Sequence, residues 1–421
     1  MVLRERSYLR VLMLSWEYPP KSVGGLAQHV YDLTSALASN GVEVSLITSG
    51  GQGAPYFEQV NGVKVYRVDP YQVSSPDFVT WVAQFNVALL ERAMPLVGNT
   101  EFHIVHAHDW LVAYAARAIK YASRLPLVVT IHATEYGRNN GLHNDTQRHI
   151  SDIEWWITYE GWKVICCSNF MQEEVRRVFQ VPKDKVAVIP NGVDVNTFKS
   201  RSKTTQRSDY AAPDEKIIFY VGRLVKEKGV QVLLDAAPEI LSQHPQTKFI
   251  IAGKGPFMES LQRQAAVLGI ANRVYFTGYI NDAVRNNLYS WADVAVFPSL
   301  YEPFGIVVLE AMAARTPVVV ADCGGISEIV RHGEDGLKAN TGSSHSLARN
   351  ILAVLQQPQL GSMLKERAYT RVLNEFNWKN IAQQTTSVYH EVWEAHRGTP
   401  WFEQRQDNFF SRFNRLLVRN S

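Results

Sequence analysis

The sequence lacks any apolar run near the 18 residues that a membrane-spanning helix requires, and it contains little cysteine. Its three cysteines show no metal-ligand spacing, and Cys166 and Cys167 are adjacent in an apolar segment. Thiols of this kind are typical of a reduced, buried environment. The N-terminal region also lacks the apolar core of a cleavable leader, because residues 11–14 are too short. These features predict a cytoplasmic protein.

An excess of charge of either sign is also lacking. The 43 basic and 40 acidic residues leave a formal net charge of +3, which argues against nucleic acid as a partner. The 421 residues, of which 46% are hydrophobic, are enough for two ordinary domains with sizeable cores. The composition is that of a globular enzyme.

Short apolar runs alternate with segments of helical period along the whole chain, and this order predicts an α/β fold with parallel sheets. The predicted strands span residues 9–14, 42–48, 63–68, 103–106, 127–131, 164–167, 186–189, 216–221, 248–252, 274–277, 294–298 and 317–321. Helices are predicted between them, notably at 25–39, 110–123, 150–159 and 169–179.

The polar segment 199–208 is the best linker in the chain, because it has no aliphatic residue. It predicts two doubly wound, Rossmann-like domains facing each other across a cleft, with residues 1–205 in the first and 206–378 in the second. A last helix near 378–396 follows a complete second domain. We expect residues from about 379 to 421 to cross back onto the first domain.

The C-terminal tail carries an apolar stripe with interleaved arginines. Its apolar members fall at helical spacing: Phe409, Phe410, Phe413, Leu416 and Leu417. A basic amphipathic helix can lie on an anionic membrane or on a partner. We favour packing on the protein's own body, since such stripes are more often core.

Two glutamates lie eight positions apart around a Pro-Phe-Gly turn. Glu302 follows an apolar strand, and Glu310 falls about two turns into the next predicted helix. The amides of Phe304, Gly305 and Ile306 would form the N-terminus of that helix, which favours a phosphate. Carboxylates on both sides of a phosphate cradle suit a ligand with hydroxyl groups at both ends, such as a nucleotide sugar.

Two further loops are candidates for contact with a phosphate. Gly24 and Gly25 follow the first strand and open a helix, although a tight strand–helix turn explains them equally well. Arg223 and Lys228 follow the first strand of the second domain, where two cations can neutralise a diphosphate. The alternative for these cations is a solvated loop, and the Gly-Arg at the strand end favours function.

Histidines and acids end two strands of the first domain, in the segments 106–110 and 130–136. Their spacing supports no metal site, and we expect none. We interpret Asp109 and His132 as hydrogen-bonding groups for sugar hydroxyls. A helix cap for Asp109 and a core position for His132 remain the structural alternatives. Tyr136 and Arg138, just beyond, are expected on the acceptor side.

Together these motifs resemble the retaining family-4 glycosyltransferases of GT-B fold over nearly the whole chain, up to about His396. The residues that carry the likeness are the E-x7-E pair, Gly222-Arg-x4-Lys-Gly229, Pro190-Asn-Gly-Val-Asp194 and the Gly24-Gly25 loop. Within that group, the segments 16–20, 106–110, 130–135 and 154–168 resemble bacterial glycogen synthases, particularly the type that forms maltose 1-phosphate.

The resemblance implies a nucleoside-diphosphate glucose donor and an α-glucan or small glucose-containing acceptor, with no metal or other cofactor. In the second domain, Glu310 would bind the ribose, Glu302 the sugar hydroxyls, and Arg223 with Lys228 the departing diphosphate. Tyr279 lies in the loop that would hold the base.

In the first domain, the resemblance implies that His132 contacts the donor sugar. It also implies that Asp109 orients the reacting sugars. Retention in this family is usually explained by attack on the face that the leaving group departs from, with the diphosphate taking the acceptor's proton.

The sequence differs from the pattern of bacterial glycogen synthases at one loop. Bacterial glycogen synthases have a pattern similar to Lys-Thr-Gly-Gly-Leu, whereas residues 22–26 read Ser-Val-Gly-Gly-Leu and Lys21 is one place off. Donor base and acceptor therefore stay open, including another hexose, a sugar-phosphate acceptor or a lipid acceptor. A sugar-nucleotide epimerase of the same fold and a binding subunit without activity are the alternatives from other classes.

Overall fold

The computed structural model describes residues 9–51, 53–70, 73–199, 203 and 205–405. The chain divides into two compact units. Among the described residues, the first takes the chain up to Cys167, Gln172–Ile189, and the chain from Lys379 onward. The second takes Ser168–Met171 and Pro190–Trp378. The amphipathic stripe of the tail, predicted at 409–417, lies outside the described residues.

The first unit is an eight-stranded sheet with helices between its strands. Its strands are β1 (Arg10–Leu14), β2 (Glu43–Ser49), β3 (Phe57–Val60), β4 (Val63–Val68), β5 (Ile104–His108), β6 (Leu127–Ile131), β7 (Lys163–Cys166) and β8 (Val186–Val188). Its helices are α1 (Gly25–Ser39), α2 (Phe78–Asn99), α3 (Ala113–Ser123), α4 (Glu135–Asn139), α5 (Asp145–Glu160) and most of α6 (Asn169–Phe179).

The second unit is a six-stranded parallel sheet. Its strands are β9 (Lys216–Val221), β10 (Thr247–Ala252), β11 (Val274–Gly278), β12 (Val294–Phe297), β13 (Val318–Ala321) and β14 (Leu337–Ala339). Its helices are α7 (Val230–Gln243), α8 (Met258–Val267), α9 (Asp282–Trp291), α10 (Ile306–Ala313), α11 (Ile326–Ile329), α12 (Ser344–Gln356) and α13 (Pro358–Glu375). The last helix, α14 (Trp378–Arg397), follows.

Strand composition explains why both sheets are interior layers. Strands β5, β6, β12 and β13 are buried at every residue, and apart from two histidines in β5 and one threonine in β6 they are apolar. A parallel sheet covered by helices on both faces requires this pattern, because neither face meets water. The α/β fold with two parallel-sheet domains is thereby confirmed.

The order of strands places a reversal in the middle of each sheet. The first sheet runs β3-β4-β2-β1-β5-β6-β7-β8, and the second runs β11-β10-β9-β12-β13-β14. The chain therefore winds outward in one direction from β1 and β9, and in the other from β5 and β12. Doubly wound sheets bind ligands at such reversals, at the carboxyl ends of the two central strands.

The boundary between the units lies earlier than the predicted linker. The turn at Gly192 already packs on Trp378, and Val193 N donates to Phe376 O over 2.9 Å, so the chain joins the second unit at Pro190. Likewise Glu328 accepts hydrogen bonds from the amides of Asn169 and Phe170, at the beginning of α6. A short piece of that helix therefore belongs to the second unit.

The last helix returns to the first unit. The hydroxyl of Tyr389 in α14 lies 2.7 Å from Nδ1 of His106 in β5, and the rings of Trp393 and His103 meet edge to face. None of the described helices is both long and apolar enough to cross a membrane.

Candidate functional site

The central strands β9 and β12 of the second unit bring Lys228 and Glu302 together. Lys228 Nζ lies 2.5 Å from Glu302 Oε2, and the hydroxyl of Ser299 donates to the same oxygen over 3.3 Å. The two loops are also joined through their backbones, because Leu300 N donates to Glu227 O over 2.8 Å. Residues that are far apart in sequence thus form one ion pair at the reversal of the sheet.

A glycine makes this approach possible. Gly229 has φ +72°, and a Cβ there would lie 1.9 Å from the carbonyl oxygen of Pro298. Only a residue without a side chain tolerates both the left-handed backbone and that contact. The glycine after Lys228 therefore sets how closely the loop after β9 meets the loop after β12.

Arg223 lies in the same loop but makes looser contacts. Its side chain is 48% exposed, and its guanidinium is 3.6 Å from Glu227 Oε1. The hydroxyl of Tyr220 donates to the Arg223 carbonyl over 3.1 Å, which fixes the backbone and leaves the charged group at the surface. The sequence placed both cations at the end of β9, and the structure shows them there.

The Pro-Phe-Gly turn opens α10 as predicted, with Gly305 at φ +105° in the capping position. Phe304 is buried, and Gly305 and Ile306 lead into the helix. Gly324 and Gly325 pack against this turn so closely that a Cβ at either would lie 2.3 Å or less from a carbonyl oxygen of Glu302 or Pro303. Close backbone packing therefore holds the turn in place.

Glu310 has partners that the sequence did not indicate. Its Oε1 lies 3.3 Å from the guanidinium of Arg285 in α9, and the hydroxyl of Tyr289 donates to Oε2 over 3.3 Å. Burial raises the pKa of Glu310, while Arg285 acts in the opposite direction. Tyr279 lies just after β11 and is 72% exposed. The two side-chain contacts join Glu310 to Arg285 and Tyr289.

In the first unit, the loops after β5 and β6 bring Asp109 and His132 together. Asp109 Oδ1 accepts from the His132 amide over 2.8 Å, and Asp109 itself has φ +57°, which is unusual for a residue other than glycine. Such backbone strain is concentrated at functional sites. Burial raises the pKa of Asp109 to about 6, and Arg138 opposes that rise.

Three histidines lie together beneath this rim. Nδ1 of His108 is 3.0 Å from Nε2 of His132, and ring nitrogens of His29, His108 and His132 all lie within 4.8 Å of one another. Burial lowers the pKa of His132 to about 3, so its ring is neutral near pH 7. Among the described residues this is the group that best suits a metal ion. The same geometry also fits a hydrogen bond between two neutral rings, those of His108 and His132.

The loop of Gly24 is held by a glutamate that the sequence did not single out. Glu17 Oε2 accepts from the amide of Val23 over 2.6 Å and from that of Gly24 over 3.2 Å. Glu17 is buried, and burial raises its pKa. The predicted helix begins at Gly25. The amide of Gly24, expected to meet a phosphate, is thus bound to a carboxylate here.

A second buried glutamate supports the acceptor-side residues. Both carboxylate oxygens of Glu154 accept from the Glu135 amide at 3.0 Å, at the start of the helix that carries Tyr136 and Arg138. Burial raises the pKa of Glu154 to about 8. The sequence signal for this supporting role is the position of Glu154, a charged residue within the apolar stripe of α5.

Comparisons with known proteins match each of the two units to a glycosyltransferase family. Residues 202–371 match the family described as "Glycosyl transferases group 1", and residues 23–197 match "Glycosyltransferase Family 4". The two matches divide the chain much as the two sheets do.

Relatives that match nearly the whole chain carry related names. An uncharacterized glycosyltransferase of Methanocaldococcus jannaschii is 40% identical over 90% of this chain and 98% of its own length. A glycogen synthase of Mycobacterium tuberculosis is 35% identical over 90% of this chain and 94% of its own. The structure of a sucrose-phosphate synthase from Thermosynechococcus elongatus is similar, with a TM-score of 0.79, 25% identity, and coverage of 92% and 100%.

Proposed function

This chain belongs to the family-4 glycosyltransferases of GT-B fold, and from that premise we propose that it transfers glucose, with retention, from a nucleoside-diphosphate glucose to an α-glucan or small glucose-containing acceptor. Its relatives include a protein named glycogen synthase. The observation that carries the proposal is the Lys228–Glu302 ion pair at the β9–β12 reversal, directly before the N-terminus of α10.

The second unit supplies the groups that the donor requires. Arg223 and Lys228 neutralise the diphosphate, and the helix N-terminus at Phe304, Gly305 and Ile306 adds amide donors. Glu302 accepts from hydroxyl groups of the sugar. Separation of the glycosidic carbon from the phosphate leaves negative charge on the diphosphate, so cations at that position stabilise the transition state more than the ground state.

Glu310 binds the ribose hydroxyls in this proposal, and its contact with Arg285 sets its orientation. Tyr279 is exposed at the end of β11 and provides a ring on which a base can stack.

The first unit supplies groups for the transferred sugar and the acceptor. His132 is neutral near pH 7, and its Nε2 lies 3.0 Å from Nδ1 of His108, so we propose that its other ring nitrogen bonds a sugar hydroxyl. Asp109 accepts from a sugar hydroxyl, and Tyr136 with Arg138 contacts the acceptor. We propose that the loop of Gly24 and Gly25 contacts the donor phosphates.

The transfer step balances without an external base. The acceptor oxygen bonds to the anomeric carbon on the face from which the diphosphate leaves, and the diphosphate oxygen takes the acceptor's proton. Protein cations perform the charge stabilisation that a metal ion performs elsewhere, so we propose that no metal or other cofactor is needed.

The test is nucleoside diphosphate release from UDP-, ADP- and GDP-glucose, each with glycogen, maltose, glucose 1-phosphate, fructose 6-phosphate or a lipid extract. Release that rises with glycogen, maltose or glucose 1-phosphate supports the proposal. Release that rises only with lipid or only with fructose 6-phosphate contradicts the acceptor class. Conversion of the donor without any acceptor-dependent release contradicts transfer altogether.

A further inference from the structure

The loop after β10 contains a lysine that the proposed transfer does not use. It reads Gly253-Lys254-Gly255, and Lys254 is exposed. Strand β10 lies between β9 and β11 in the sheet, so this loop lies between the loop of Arg223 and the segment that leads into Tyr279. In the proposed function, Arg223 binds the diphosphate and Tyr279 the base. A nucleotide that contacts both passes the carboxyl end of β10.

Close packing fixes the position of this loop. A Cβ at Gly253 would lie 1.8 Å from the carbonyl oxygen of Gly222, and one at Gly255 would lie 2.1 Å from that of Leu224. Leu224 N also donates to the carbonyl oxygen of Lys254 over 2.9 Å. The packing therefore admits a side chain at Lys254 and at neither of its neighbours.

The side chain of Lys254 extends toward the end of β11. Its Cε lies 4.0 Å from the position that a Cβ on Gly278 would take. Gly253 N donates to the carbonyl oxygen of Gly278 over 2.8 Å, so the two loops are also joined through their backbones. Tyr279, which is exposed, follows directly. The ammonium group, one bond beyond Cε, is therefore within reach of a base that stacks on the Tyr279 ring.

The charge of Lys254 is not taken up by a neighbouring carboxylate. Among the residues that the structure describes, Lys254 forms no ion pair. By contrast, Lys228 is paired with Glu302, and Arg285 with Glu310. A surface lysine is ordinarily only solvated. This one lies at the carboxyl edge of a doubly wound sheet, where such folds bind their ligands, and that position favours contact with a ligand.

An ammonium group distinguishes bases by the chemical group at one edge. It has three N–H donors and no acceptor. Uracil and guanine carry a carbonyl oxygen, O4 or O6, at the position where cytosine and adenine carry an amino group. Lys254 can donate to the carbonyl oxygen, whereas an amino group at the same place would set two donors against each other.

We propose that Lys254 selects the nucleotide of the donor by donating a hydrogen bond to the carbonyl oxygen of uracil or guanine. The inference rests on the proposed function, because it takes the donor to be a nucleoside-diphosphate sugar. It makes UDP- or GDP-glucose a better donor than ADP-glucose. One hydrogen bond from a charged group at an exposed position gives a preference of about tenfold.

The test is the binding of nucleoside diphosphates without any sugar, so that it does not depend on transfer. Isothermal titration calorimetry compares UDP with CDP, and inosine diphosphate with ADP, because each pair exchanges a carbonyl oxygen for an amino group at one ring position. We expect the wild type to bind UDP and inosine diphosphate about tenfold more tightly than CDP and ADP. The variant Lys254→Met keeps the apolar stem and should lose both preferences, with the binding of CDP and ADP unchanged.

The matched control is Lys226→Met, which removes an exposed lysine from the loop after β9 and should keep both preferences. Unchanged binding of CDP and ADP also shows that Lys254→Met is folded. Equal weakening of all four nucleotides in Lys254→Met assigns the lysine to the diphosphate and overturns the inference, as does a wild type without any preference. If the preferences are lost in Lys254→Met but the donor panel shows no transfer, only the proposed function is overturned.

Discussion

At the scale of single residues, Lys228 and Glu302 are the informative pair. The sequence placed each at the end of a strand but did not show that they touch. They touch because β9 and β12 are adjacent strands, and this adjacency follows from the order of strands in the sheet. The same reason explains why Arg285 was missed as the partner of Glu310, since no local pattern links a residue in α9 to one in α10.

Replacement of Lys228 by alanine tests its role. Because the cation acts mainly on the charge that develops on the diphosphate, we expect kcat to fall about 100-fold or more while KM changes much less. Steady-state kinetics with the best donor measures both constants. Lys226→Ala, in the same turn and exposed, is the matched control and should retain activity. A variant of Lys228 with a raised KM and unchanged kcat would contradict the assignment.

Glu154 gives a test by pH. Its pKa is raised from the ordinary 4.5 to about 8 by burial, so between these values the folded protein holds a proton that the unfolded chain has lost. The stability that this proton contributes is full below about 4.5 and is lost as the pH rises through about 8.

The variant Glu154→Gln cannot titrate and keeps an oxygen acceptor for the Glu135 amide. We therefore expect the free energy of unfolding of the wild type to fall relative to the variant, by up to about 1.4 kcal/mol per pH unit across that range. Urea denaturation at pH 5, 7 and 9 measures the difference. If the difference in the free energy of unfolding between the two proteins is the same at all three pH values, Glu154 is ionised throughout that range.

At the scale of elements, turns with defined backbone geometry set the functional loops. The loop after β9 needs Gly229, and replacement by alanine would put a Cβ against the Pro298 carbonyl. Gly269 is the matched control, because its φ of +69° is nearly the same and nothing lies within 4 Å of its added Cβ. Comparison of Gly229→Ala with Gly269→Ala therefore separates the cost of backbone strain from the cost of the contact with Pro298.

We expect Gly269→Ala to lower the free energy of unfolding by about 1 kcal/mol, the cost of a left-handed alanine. Gly229→Ala should cost about 2 kcal/mol more and also reduce transfer, because the loop that carries Lys228 must move. Chemical denaturation and the transfer assay give both quantities. Equal losses for the two variants would mean that the Pro298 contact is unimportant.

Most elements were predictable because parallel strands are buried on both faces and read as continuous apolar runs. Two misses had local signals. Strand β3 pairs with β4 through Asn61-Gly62, both in left-handed conformation, and an Asn-Gly turn is a strong hairpin signal. Helix α2 begins after Asp77, whose side chain accepts from the Thr80 amide over 2.8 Å. An N-cap aspartate before a long apolar pattern predicts such a helix.

At the scale of the whole molecule, the proposal makes the enzyme independent of metal. We expect dialysis against EDTA to leave the transfer rate unchanged, because Arg223 and Lys228 carry the positive charge that the diphosphate needs. The rate before and after dialysis is the measurement, and elemental analysis of the protein is its control. Loss of activity that zinc restores would instead place an ion among His29, His108 and His132.

The division into units was harder to predict than the elements. Polar composition at 199–208 indicated a linker, but packing of the chain from Pro190 onward on Phe376 and Trp378 decides the boundary. The assignment of Ser168–Met171 to the second unit depends on contacts with Glu328, which lies far along the chain. Contacts over such separations leave no periodic signal in the sequence.

The discontinuity of the first unit also determines the order in which the protein can fold during synthesis. The ribosome completes Pro190–Trp378 before it reaches the helix whose Tyr389 bonds His106. At about 5–20 residues per second, that interval lasts roughly 10–40 s. During this time the nascent first unit lacks its closing helix, and Nδ1 of His106 lacks the Tyr389 hydroxyl. The second unit, whose sequence is nearly continuous, is the part that can reach its native state on the ribosome.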